Sequence, residues 1–327
     1  MTGPDGVRLR LDRIRAAVDE IDPVFLDTPA LPSVPLGRAL GCAVTLKVET
    51  LNPVRSFKGR GTEAVAAAAR AAGASRMVCA SAGNLGQALA YSGRRRRLDV
   101  TVVAAETANP LKLRQIADLG ADIQLVGEDI EDARRRAWEI ADVNGAYHVE
   151  DSLHLATCEG AATIGLELVR DDPELDVVLV ALGGGAMASG VGYTVRAHAE
   201  DAEVIGIQPV GAPAMALSWR QREVVETDRI ETIADGVAGR CPIPEVLEDL
   251  LVVLDDVVLV REDSIKQGMR MLYEHAGLVV EPSAALGIAA LLEAPERFAG
   301  RRVTTVVCGS NVGPADFARW VLEPFAR

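Results

Sequence analysis

The sequence predicts an α/β fold of two lobes, each built on a mainly parallel sheet flanked by helices. Short Val-rich runs alternate with longer segments of helical spacing along most of the chain. That alternation is the pattern of parallel strands covered by helices on both faces. Aromatic residues make up only 4% of the chain against 49% hydrophobic residues overall, so the packing is expected to be aliphatic. The 327 residues suffice for one large core or two modest ones.

Taken in order, strands are expected at 44–48, 77–80, 100–104, 123–126, 177–181, 204–208, 257–260 and 303–307. Helical spacing marks 62–72, 85–92, 111–119, 130–143, 161–170 and 264–275. Connections between parallel strands should be right-handed crossovers. Residues 73–148 hold several consecutive strand-plus-helix units and are read as a small domain, with 1–72 and 149–327 forming the large one. The one basic run, Arg94 to Arg97, reads as a solvated turn after a helix.

A net charge of −13 opposes non-specific attraction to nucleic acid or acidic membranes. The five cysteines, Cys42, Cys79, Cys158, Cys241 and Cys308, are scattered and form no CxxC pair. That argues for a reducing, cytoplasmic setting rather than a disulfide framework or zinc knuckle. Residues 1–22 are heavily charged, unlike a signal peptide, and no apolar run reaches membrane-spanning length. His148, His154, His198 and His275 lack metal-ligand spacing, so no metal site is expected. No Gly-x-Ser-x-Gly elbow is present either.

Four segments carry chemistry. In Ser56-Phe57-Lys58-Gly59-Arg60-Gly61, small residues flank a lysine at the start of a helix. The positive end of that helix disfavours the ammonium and so favours the neutral amine a Schiff base requires. Ser81-Ala82-Gly83-Asn84-Leu85-Gly86-Gln87 follows a strand, where free N–H groups suit a carboxylate. Gly183-Gly184-Gly185-Ala186-Met187 lies between a strand and a helix and lets backbone wrap a phosphate. Cys308-Gly309-Ser310-Asn311 ends another strand, where ligands of open α/β sheets sit. The glycine loop alone would also fit a dinucleotide turn, with Glu200 and Asp201 near the expected acidic position.

In this order the four segments resemble the fold-type II pyridoxal-phosphate enzymes, similar in fold to tryptophan synthase β, and among them the serine/threonine dehydratases. The likeness runs from about Pro29 to Asn311 and includes Glu159-Gly160-Ala161-Ala162-Thr163 and Glu281-Pro282-Ser283. It implies that Lys58 carries pyridoxal 5′-phosphate and later acts as base, with the larger domain holding the cofactor. Phe57 would pack near the ring, and Gly183, Gly184, Gly185, Ala186 and Met187 would bind the phosphate. Asn84 would meet the phenolic oxygen, Cys308 the pyridine nitrogen, and Glu281 the cofactor side. Ser81, Ala82, Asn84 and Leu85 would receive the carboxylate of an amino-acid substrate. The implied reaction is β-elimination of water from serine, threonine or a relative, giving a 2-oxo acid and ammonia, in a homodimer.

The departures sharpen this reading. Ala82 stands where serine racemases of the family carry a second serine, which disfavours racemisation. Leu85 replaces a histidine common in dehydratases, and Gln208 stands where metal-binding members place a carboxylate, so Mg²⁺ or Ca²⁺ is not expected there. Val149-Glu150-Asp151-Ser152 also departs from the dehydratase pattern, and it lies towards the substrate. The chain ends soon after Asn311, so no regulatory C-terminal domain is expected. Two other readings stay open: a threonine synthase-like replacement enzyme, and a non-catalytic cofactor or nucleotide binder.

Overall fold

A computed structural model describes residues 3–128 and 130–323, with ten strands in two sheets. The strands are β1 (Ala30–Pro32), β2 (Ala43–Val48), β3 (Arg76–Ala80), β4 (Asp99–Ala104), β5 (Asp122–Leu125) and β6 (Tyr147–His148). They continue as β7 (Val177–Ala181), β8 (Glu203–Pro209), β9 (Asp256–Val260) and β10 (Arg302–Val307). The larger sheet has the order β1-β2-β10-β7-β8-β9 and the smaller one β5-β4-β3-β6. All neighbours are parallel except β1 and β2, which pair antiparallel with Ala30 opposite Lys47. The two-lobed, mainly parallel α/β architecture is therefore as expected.

Every expected strand forms, within a residue or so at each end. Most are Val-rich runs, and the central ones are buried on both faces. β7, Val-Val-Leu-Val-Ala, is buried at all five positions, whereas β5, Asp-Ile-Gln-Leu at the edge of the small sheet, has none buried. Two strands escaped the sequence. The antiparallel edge strand β1 has three residues, and β6 has two, too few to show a period. Several helices also escaped it. Leu286–Glu293 is buried from Leu286 to Leu291, so it has no polar face to set against an apolar one.

One apolar cluster, including Leu46, Leu179, Ile205 and Val306, surrounds the six-stranded sheet. A second, including Met77, Val100 and Val102, fills the smaller one. The helix Lys58–Ala71 bridges them, packing on both Asn84–Arg96 and Leu155–Asp171. The basic run is exposed at Arg94, Arg95 and Arg97, as expected, but most of it closes a helix instead of following one. Arg94, Arg95 and Arg96 form the last turn of the helix Asn84–Arg96, and Arg97 (φ 58°) caps it. Arg95 pairs with the buried Glu63 at 2.8 Å and with Asp22 at 3.0 Å, while Arg96 pairs with Glu20 at 3.2 Å. Cations here also answer the negative end of the helix. Among the described residues, no helix is long and apolar enough to cross a membrane.

Candidate active site

The site lies beyond the carboxyl ends of β2, β3, β7 and β10, each of which runs into one of the four segments. After β2 the chain folds around Asn52, whose amide donates to the carbonyls of Glu49 (2.9 Å) and Ser56 (3.2 Å). This turn is stitched to the loop after β10. Ser56 bridges antiparallel to Gly309, the Phe57 N–H donates to the Cys308 carbonyl at 3.0 Å, and the Ser310 N–H donates to the Arg55 carbonyl at 2.9 Å. Lys58 is thereby delivered as the first residue of its helix, beside Cys308.

Lys58, Phe57, Ser81, Ala82, Asn84, Leu85, Gly183, Gly184, Gly185, Ala186, Met187, Glu281 and Cys308 all border one cavity of about 470 Å³. The structure thus gathers every site candidate in one place. The Lys58 ammonium contacts the Asp151 carboxylate and stands 4.7 Å from the centre of the Phe57 ring. Gly185 has φ 108°, a backbone that side-chain-bearing residues rarely adopt, and it turns the loop into the helix Ala186–His198. The Ala186 N–H at the start of that helix donates to the Ser152 hydroxyl at 3.1 Å.

Glu281 is the polar hub. Its Oε1 accepts from the Asn84 amide at 2.9 Å and its Oε2 from the Asn311 N–H at 3.0 Å. Burial, with the nearby Asp235 charge, pushes this carboxyl up to about 7 against the pull of the Asn311 and Asn84 bonds and of Lys112. Burial likewise pushes the Cys308 thiol up, keeping it neutral. Gln208, 1% exposed, spends its carbonyl on the Ala216 N–H at 2.8 Å, a contact from β8 to the first turn of the helix Ala214–Gln221. Among the described residues, no group of three or more His, Cys, Asp or Glu side chains is arranged to hold a metal.

Several residues were not picked out as candidates from the sequence. Asp151, Lys112 and Asp235 line the cavity, Ser152 braces the glycine loop, and Asn311 ties Asn84 to Val54. Two signals were present: Asn311 closes the fourth segment, and residues 149–152 depart from the dehydratase pattern.

The residues present suit pyridoxal 5′-phosphate. A glycine loop at a helix start offers backbone donors to a phosphate, and a lysine amine reaches the same cavity. The buried Ser283 hydroxyl lines that cavity with no hydrogen-bond partner in the protein, which leaves it free to bond a ligand. Residues 21–309 match the family described as pyridoxal-phosphate dependent enzyme, and the chain belongs to that family. Within it, the chain falls in the serine/threonine dehydratase-like group, whose cofactor is pyridoxal phosphate. It is 30% identical over 305 residues to the L-threonine ammonia-lyase of Thermotoga maritima, covering 93% of this chain and 76% of that one. It is 32% identical over 297 residues to the phenylserine dehydratase of Ralstonia pickettii, covering 89% and 90%. The structure of maize serine racemase superposes with a TM-score of 0.89 at 26% identity, over 95% of this chain and 96% of that one.

Proposed function

We propose that this chain is a pyridoxal-phosphate-dependent ammonia-lyase that eliminates water from serine, threonine or a related β-hydroxy amino acid, releasing a 2-oxo acid and ammonia. One observation carries the reading: Lys58 and the glycine loop before Ala186 face the same cavity, each at the start of a helix. Lys58 is the residue that holds the cofactor, and once released by the incoming amine it takes the Cα proton. When bound, the cofactor supplies the electron sink for the resulting charge. Gly183, Gly184, Gly185, Ala186 and Met187 hold the phosphate, and Phe57 packs by the ring. The Asn84 amide has one N–H engaged by Glu281 and a second left for the phenolic oxygen.

Cys308 takes the place beside the ring nitrogen. A neutral thiol there does not hold that nitrogen protonated as a carboxylate would, which suits prompt loss of a β-substituent. Glu281 sits on the cofactor side and braces Asn84. The substrate carboxylate is received at Ser81, Ala82, Asn84 and Leu85. Ala82 offers no hydroxyl for a proton on the opposite face, which supports lyase over racemase.

The larger domain, 1–72 and 149–327, is assigned to the cofactor and 73–148 to the small domain. This division is supported by the two separate sheets. A homodimer is supported by exposed Leu31, Val34 and Leu51 on and beside the edge strand β1. Five free cysteines, four of them buried, support a cytoplasmic location.

The deciding experiment screens amino acids for 2-oxo acid release with the wild type and Lys58→Ala. Borohydride-reduced, digested protein is then searched for the cofactor mass on Lys58. Release from a β-hydroxy amino acid and a labelled Lys58 are expected. No release from any amino acid, or an unlabelled Lys58, overturns the reading.

A further inference from the structure

We propose that the active cavity continues into a side-chain chamber, and that the elimination proposed above, on which this inference rests, is directed at β-hydroxy amino acids with a large apolar group on Cβ. A second cavity of about 200 Å³ adjoins the first. Ile130, Arg134, Glu150, Asp151, Asp235 and Val237 line both. The second cavity lies between the start of the helix Ile130–Asn144 in the small lobe and a wall of the large lobe that includes Ile230 and Ile243.

The walls already in use place the substrate side chain at its mouth. Of the four groups on the substrate Cα, the amine goes to the cofactor, the proton to Lys58 and the carboxylate to the 81–85 loop. The glycine loop takes the phosphate, and Glu281 and Cys308 lie along the ring. The walls that none of these claims include Ile130, Arg134, Glu150, Asp235 and Val237, and all five continue into the second cavity. Lys112, another unclaimed wall residue, is engaged by Asp235. Cβ and what it carries are left to face the chamber.

The chamber suits a neutral, apolar group. Its charged side chains are engaged: Arg134 lies 2.7 Å from Glu131 and 3.5 Å from Glu150, and Arg240 donates to the Thr227 carbonyl at 3.4 Å. Asp151 contacts Lys58, which the same mechanism frees once the amino acid is bound. The remaining walls are largely aliphatic. Met215 and Val237 are buried, while Ile130 and Ile230, one from each lobe, stay 39% and 41% exposed. Two isoleucines left in water on the walls of one chamber form a patch, and an apolar ligand would cover it. An apolar cavity of about 150 Å³ admits benzene, so about 200 Å³ accepts an aryl or branched alkyl group. Serine and threonine carry at most a methyl group on Cβ and would leave it unfilled. Space is also open at Gly239, where an added Cβ would meet nothing within 4 Å.

The test measures 2-oxo acid release by the holoenzyme from serine and from 3-phenylserine, which lose the same group and differ in the ring on Cβ. Wild type should show at least a tenfold higher kcat/KM for 3-phenylserine. Intrinsic reactivity also differs between the two, but it cancels when the ratio is compared between variants. Gly239→Leu has room for its side chain and no positive φ to strain it, and Ile130→Trp narrows the chamber from the other lobe. Each should lower the ratio at least tenfold. Calorimetric affinity for phenylalanine against alanine, neither with a β leaving group, gives a readout without turnover. The same preference and the same fall are expected. A wild-type ratio at or below one in either measurement, or ratios that neither substitution changes, overturns the inference. If no amino acid yields a 2-oxo acid, the lyase reading fails by itself, and the affinity ratios still decide whether the chamber takes an apolar side chain.

Discussion

Asn84 and Glu281, 197 positions apart, share a 2.9 Å hydrogen bond that ties the start of the helix Asn84–Arg96 to the segment before the short helix Pro282–Ala285. Asn311 closes a triangle with them: its N–H donates to Glu281 at 3.0 Å and its side-chain amide to Asn84 at 2.8 Å. The two halves of the cavity wall are thus held in register by one buried carboxyl and two amides.

Protonation of Glu281 should be visible in stability. Its carboxyl is raised from 4.5 to about 7, so between those values the folded protein holds a proton that the unfolded chain has lost. The stability contributed by the neutral carboxyl is complete below pH 4.5 and is lost as pH rises through 7. Glu281→Gln cannot ionise. Relative to this variant, the wild type should lose on the order of 2–3 kcal/mol between pH 5 and 8. Urea unfolding of both at the two pH values checks this, and parallel profiles would refute it.

Gly309→Ala should disturb the same carboxyl through space alone. An added Cβ would lie 2.5 Å from the Glu281 Cδ, far inside van der Waals contact. Overpacking of this kind costs about 1–3 kcal/mol. A lower Tm should be accompanied by at least a tenfold fall in turnover, because Glu281 cannot move without releasing Asn84. Thermal unfolding and 2-oxo acid release measure the two effects. A variant that loses stability but keeps full turnover would separate Glu281 from the site.

Thiol reactivity offers an independent check of the burial pattern. Cys42, Cys79, Cys158 and Cys308 are buried, and burial pushes all four thiols up, Cys158 to about 12. Only Cys241 is exposed. An alkylating reagent at pH 8 should therefore modify one cysteine quickly in the native protein and all five after denaturation. Cys241→Ser should abolish the fast reaction. Rapid modification of Cys308 would contradict a sealed, neutral thiol at the base of the cavity.

These contacts mark where the sequence stops being informative. The strands, Lys58 and the glycine loop are legible because each depends on neighbours in sequence: a valine run, or a loop that directly follows one. The pairing of Lys58 with Asp151 spans 93 positions, and that of Asn84 with Asn311 spans 227, so no local pattern announces either. For the same reason the surface position of Arg94 to Arg97 is legible and their partners are not. Glu63 and Asp22 reach Arg95 from other elements. The same limit hides Lys47, Glu49, Arg60 and Glu167, charged residues with a surface composition and complete or near-complete burial.

That buried network makes the strongest stability prediction. Arg60, two residues after Lys58, is 0% exposed. Its guanidinium donates to Glu49 at 2.8 and 2.9 Å, to Glu167 at 2.6 and 2.9 Å, and to Thr163 at 2.9 Å. It therefore fastens the first turn of the lysine's helix to the end of β2 and to the helix Leu155–Asp171. Burial alone would push the Glu167 carboxyl up, but Arg60 and Lys47 bring it down to about 2. Its stabilisation is present above pH 4.5 and disappears as pH falls towards 2. Arg60→Met leaves Glu167 with Lys47 alone and the buried Glu49 with only the Thr28 hydroxyl, and should cost about 3–5 kcal/mol at neutral pH. The loss should shrink in acid, as the orphaned carboxylates take up protons. Arg60→Lys keeps the charge but not the fork, and should fall between the two. Urea unfolding from pH 7 to pH 4 measures all three proteins. A deficit that stays constant across that range would mean that Arg60 contributes packing rather than charge.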